Sequence, residues 1–93
     1  MEKIITMPLE KGLSGFEIVV DLDRITLGFF EDLESPAMRD NLNALCGVIV
    51  GGKLPAGDID ADNIRLRLRA LKPEQFMALA EGMLKAVRTP KNA

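Results

Sequence analysis

Apolar and polar residues alternate strictly over residues 16–22, FEIVVDL: Phe16, Ile18, Val20 and Leu22 point one way, Glu17 and Asp21 the other. A period of two is the mark of a strand with one buried face. Residues 3–9, KIITMPL, put Ile5, Met7 and Leu9 on a common face, and Pro8 argues for an edge position because it cannot donate to a ladder. The two glycines of EKGLSG, residues 10–15, supply a turn between them. These segments predict an antiparallel β-hairpin. It needs a covering layer, since an isolated hairpin is marginal in water.

The period then lengthens. Thr26 reads as the N-cap of a helix over about residues 27–34, with Ile25 and Phe30 placed as a hydrophobic staple and Leu27, Phe30 and Leu33 on the buried face. Ser35 and Pro36 read as the N-cap and first residue of a second helix running to about Val50. Met38, Leu42, Leu45, Cys46 and Ile49 line its inner face, Arg39, Asp40 and Asn43 lie outside, and Gly51-Gly52 ends it. Residues 52–62, rich in Gly, Pro and Asp, read as a loop.

The clearest helix covers residues 71–88. Pro73 suits its first turn, Glu74 the positive end of its dipole, and Lys85 and Arg88 the negative end. Phe76, Leu79, Ala80, Met83, Leu84 and Val87 form one apolar stripe. Residues 63–70, NIRLRLRA, carry two periods at once. Ile64, Leu66 and Leu68 alternate with Arg65, Arg67 and Arg69 as in a strand, while Ala61, Ile64, Leu68 and Leu71 fall at helical spacing. We read the segment as a third strand. The expected fold class is α+β: an N-terminal β-hairpin, with a third strand at 64–69, packed against two or three helices. Residues 1–93 form one small domain with a disordered tail from about residue 89.

Composition narrows the function classes. Twelve basic and fourteen acidic residues leave a formal charge of −2, which is no electrostatic footprint for nucleic acid or an anionic membrane. A single cysteine cannot form an internal disulfide, and this points to a reducing cytoplasm. No signal peptide or bilayer-length apolar run is expected. The chain has four Phe and no Trp or Tyr, so its core rests on Leu, Ile, Val and Met; five Met also suit an accommodating binding surface.

Two motifs come close to chemistry. Gly47 to Lys53 satisfies G-x-x-x-x-G-K, but a phosphate loop needs Ser or Thr next, where Leu54 stands, and a strand before it. Asp58, Asp60 and Asp62 have the spacing of a calcium loop, but Asn63 replaces its Gly and Arg69 its bidentate Glu. Cys46 reads as a small core residue. With no His in the chain, neither a Cys–His pair nor the usual general base can form. Glu31, Asp32 and Glu34 read as a solvated face. No catalytic residue, metal or cofactor is expected.

Residues 25–34, ITLGFFEDLE, and 71–80, LKPEQFMALA, resemble the entry to the first helix and the closing helix of the small tail assembly chaperones of long-tailed bacteriophages and prophages. The order of elements agrees with that family. The resemblance implies a non-enzymatic protein, made in the bacterial cytoplasm, that binds a hydrophobic helical partner: the tape measure protein, with tail-tube subunits recruited to it. It implies an apolar binding surface, for which Phe29, Phe30, Met77 and Met83 are the candidates, in a groove formed by the first and final helices. A homo-oligomer is compatible with it. The alternative is a small dimeric regulatory or nucleic-acid-associated protein presenting the row of Arg65, Arg67 and Arg69 on a sheet.

Leu79 lies at the centre of the final stripe. Leu79→Ala is expected to cost about 2–5 kcal/mol in denaturant titration, the range for a buried leucine; a loss under about 1 kcal/mol would place it outside the core.

Overall fold

The computed structural model describes residues 1–7 and 12–88. Pro8, Leu9, the first two residues of the turn (10–11) and the tail from residue 89 lie outside them. Strands β1 (Glu2–Thr6) and β2 (Glu17–Asp21) pair antiparallel, Ile4 opposite Val19, as the alternation predicts. A 3₁₀ turn at Leu22–Arg24 leads to helices α1 (Leu27–Leu33) and α2 (Met38–Val48). The chain returns through β3 (Ile49–Leu54) and β4 (Gly57–Ile59), then closes with α3 (Ile64–Arg69) and α4 (Pro73–Arg88). The sheet is four-stranded and antiparallel, in the order β1-β2-β3-β4, with β1 at an edge. The fold is α+β.

One apolar core joins the inner face of the sheet (Ile5, Ile18, Val20, Leu54, Ile59) to Leu45 and Val48 of α2, Leu68 of α3, and Leu79 and Met83 of α4. Phe16 and Leu42, both assigned to the core by periodicity, are half-buried against it. The Thr26 cap forms as expected, its Oγ1 accepting from the Phe29 N–H at 3.3 Å.

Three boundaries differ from expectation. Helix α2 starts at Met38, and its N-cap Ala37 has no side-chain cap bond. Ser35 instead accepts from the Ala37 N–H at 3.1 Å and donates to Asp40 Oδ2 at 2.7 Å. Second, α2 does not run to Val50: it passes straight into β3 at Ile49. Val48, Ile49 and Val50 are a β-branched run that prefers the pleated surface, and pairing with β2 is available to it. Gly51-Gly52 is therefore mid-strand rather than a helix stop. Residues 52–62, read as a loop, contain the β3–β4 hairpin.

Third, residues 64–69 are helical rather than a third strand. The Asp60 Oδ1 accepts from the Asp62 and Asn63 N–H groups at 2.8 and 3.0 Å, and Asn63 Oδ1 accepts from the Asp60 N–H at 2.8 Å. This exchange curls the chain into a turn that launches α3. The helical spacing then wins: Leu68 and Leu71 are buried, while Leu66, inward-facing on a strand, is 65% exposed.

Asn41 ties the helical pair together. Its buried amide nitrogen donates to the carbonyls of Asp32, Leu33 and Ser35 at 2.8, 3.1 and 3.0 Å, serving acceptors at the end of α1 and in the turn after it; of these the Asp32 carbonyl also accepts from the Ser35 N–H at 3.2 Å. Asn41→Ala is expected to destabilise by about 1–3 kcal/mol, the cost of leaving buried acceptors unpaired. Denaturant titration checks this, and a loss indistinguishable from that of Asn43→Ala would contradict it.

Candidate partner-binding groove

The four residues nominated for partner binding do not share a surface. On α1, Phe29 is buried and packs edge-on against the half-buried Phe30, with ring centroids 5.3 Å apart at 74°. Leu27, expected inside, is exposed instead. The helix is rotated from the expected orientation, which carries Phe29 into the core and Leu27 out. On α4, Met83 is fully buried, in register with Phe76, Leu79 and Ala80, whereas Met77 is 47% exposed. Phe29 and Met83 are core residues; Met77 remains a surface candidate.

The apolar depression that does form lies elsewhere. A cavity of about 430 Å³ opens between α2, α3 and the start of α4, within the range of ligand pockets. Met38 and Leu42, one turn apart on α2, form one wall; Leu68 and Leu71 form the floor; Pro73 and Phe76 of α4 face them; Arg69 supplies the charged edge. Met77 stands one turn beyond Pro73, on the same side of α4. The groove thus belongs to the second, third and final helices rather than to the first and final ones. The strand reading of 64–69 hid it, because a strand there puts Leu68 on a sheet. The signal present in the sequence was the Leu68–Leu71 spacing beside the Met38–Leu42 pair.

A second depression, of about 260 Å³, lies between α1 and α2 beside Thr26, Asp32, Asn43 and Gly47. It is shallower and more polar.

The arginines do not form a row. Helical rotation turns Arg67 away from Arg65 and Arg69, and two of the three are engaged. Arg65 donates to Asn43 Oδ1 at 2.9 Å. Arg67 donates through Nε and Nη1 to the carbonyls of Asp58 and Ala56, each at 3.0 Å. Cys46 is half-buried on α2; burial pushes its thiol pKa up against the opposing pull of Arg65, so the protonated, unreactive form is favoured. Glu31, Asp32 and Glu34 are exposed. Asp60 is committed to its turn, and among the described residues no group of three or more His, Cys, Asp or Glu is placed to hold a metal ion. No described helix is long and apolar enough to cross a membrane. Comparison with protein-family models, curated proteins and solved structures returns no match to this chain.

The segment resembling a phosphate loop has the reverse context, a helix leading into a strand. Gly47 sits in α2, and Gly52 sits in β3 with φ +122°. A Cβ at Gly52 would stand 2.5 Å from the Glu17 carbonyl oxygen and 2.7 Å from Ile18 Cα, both backbone atoms. Gly52→Ala is therefore expected to destabilise by more than about 1 kcal/mol. Gly47→Ala, with nothing within 4 Å of the new methyl, should stabilise by up to about 1 kcal/mol through helix propensity. Thermal melts of the two variants check the opposite signs; equal shifts would refute the strand placement.

Proposed function

We propose that this chain is a non-enzymatic assembly factor that holds an apolar stretch of a helical partner in the groove between α2, α3 and α4. It would act as a tail assembly chaperone of a long-tailed phage or prophage, in the host bacterial cytoplasm. The observation that carries the reading is the groove: its walls are leucine, methionine, phenylalanine and proline, and its mouth is half-open at Met38, which is 49% exposed. An amphipathic helix presents apolar residues at the spacing such a groove accepts. The methionine in the wall, Met38, adapts to successive, non-identical segments, as a factor coating a long tape measure protein requires. Arg69 at the edge favours a partner with a carboxylate beside its apolar stripe. The resemblance of the Thr26-capped helix and of LKPEQFMALA supports the same class. The alternative regulator needs three arginines on one strand face, a geometry that α3 does not offer.

Binding should be apolar and therefore nearly indifferent to salt, since burial is not screened as exposed charge is. Against the tape measure protein of the source phage or prophage, Met38→Glu and Met77→Glu are expected to weaken binding at least tenfold, roughly 1.4 kcal/mol. Leu27→Glu, at a more exposed position outside the groove, should leave binding unchanged. Titration calorimetry at two salt concentrations checks this. Wild-type affinity in Met38→Glu, or binding to duplex DNA that fades with salt and with Arg69→Ala, would defeat the reading.

A further inference from the structure

The two edges of the sheet are finished differently. At β4, the carbonyl of Asp58 accepts from Arg67 Nε at 3.0 Å and Asn63 Nδ2 at 3.1 Å, and that of Ala56 from Arg67 Nη1 at 3.0 Å. Side chains from α3 and its approach occupy the acceptors a further strand would need, on a strand only three residues long. Among the described residues β1 has no such cover: its one strand partner is β2.

The ladder fixes which backbone groups face the opening. The Leu22 N–H donates to the Met1 carbonyl at 2.7 Å and the Met7 N–H to the Phe16 carbonyl at 2.9 Å, both on the register of the strand pair. Directly bonded pairs alternate in an antiparallel ladder. Met1, Lys3, Ile5 and Met7 therefore use their backbone on β2, and Glu2, Ile4 and Thr6 aim theirs at the open side. Ile4, on the face away from the helices, is 62% exposed. Lys3 is not standing guard over the edge; it lies on the other face and donates to the Ala86 carbonyl at 3.2 Å.

We propose that β1 pairs antiparallel with β1 of a second copy of this chain, Ile4 opposite Ile4, continuing the sheet across a twofold axis. Backbone direction and side-chain face admit only Glu2, Ile4 and Thr6 as the directly bonded residues of such a pair. Centred on Ile4, the register pairs all three, sets Glu2 opposite Thr6 and Lys3 opposite Ile5, and places no like charges face to face. A shift one way puts Lys3 opposite Lys3 and leaves Thr6 without a β1 partner; a shift the other way leaves Glu2 without one. The strand thus complements itself, and its exposed isoleucine packs against its twin.

Sedimentation of the full chain tests this. The wild type is expected to run at twice its 10.2 kDa mass at micromolar concentration. Ile4→Lys and Ile4→Glu, each folded by circular dichroism, should associate at least tenfold more weakly, and an equimolar mixture of the two should recover the dimer. Ile4→Pro removes only an outward N–H, which an edge strand tolerates; it should be a folded monomer and serves if the charged variants misfold. A wild-type monomer at about 1 mM, a folded Ile4→Lys or Ile4→Pro as dimeric as wild type, or a mixture that stays monomeric would each overturn the proposal.

Discussion

The amide of Asn41 is the constraint on which the layout depends. It gathers three carbonyls from the end of α1 and the following turn, and so sets the angle at which α2 leaves. Because α2 runs into β3 without a loop, that angle also aims the strand at β2. No slack between Val48 and Ile49 could absorb an error. The misfit that remains is taken up inside the sheet. Val19 and Val20 face Gly51 and Ile49, leaving Val50 as the extra residue of a bulge. Gly52, with no side chain, lets the strands close immediately beyond it.

From there the architecture propagates in one direction. The hairpin turn delivers β4, whose carbonyls recruit Arg67 and Asn63 and so anchor α3. This six-residue helix would be too short to hold itself in water. Held in this way, it presents Leu68 toward α2, and the groove is the space that α3, α2 and the first turn of α4 cannot close. The acidic and basic residues that looked like chemistry along the chain are largely occupied in this joinery. Asp60 builds a turn, Arg67 seals an edge, and Arg65 reaches Asn43 on the neighbouring helix.

What could be read from the residues was what local rules decide alone. The alternation at Phe16–Leu22, the Thr26 cap and the stripe from Phe76 to Met83 each specify one structure, and each is found. The misreadings fall where two rules compete and a distant contact arbitrates. Gly51-Gly52 serves equally as a helix stop or as the space for a bulge, and only β2 selects between them. The 64–69 segment holds both periods, and the Asp60–Asn63 exchange decides. Phe29 and Phe30 are neighbours on a seven-residue helix, too short for a stripe to fix which of them faces inward. Phe29, nominated for a surface, lies in the core for that reason, and the groove was invisible because it needs three helices placed together.

The position of the α1–α2 pair also bears on how quickly the chain can fold. It lies between β2 and β3, so Glu17 must find Lys53 across the whole of both helices and their connections. Closing so long a loop from a disordered chain is entropically slow. The Asn41 contacts, by contrast, span fewer than ten residues and can form within the helical hairpin before any strand has paired across it. Once formed, they draw Asp21 and Ile49 together and convert a distant search into a nearly local one. A side chain whose equilibrium role is to satisfy carbonyls would then also set the rate at which the sheet is completed.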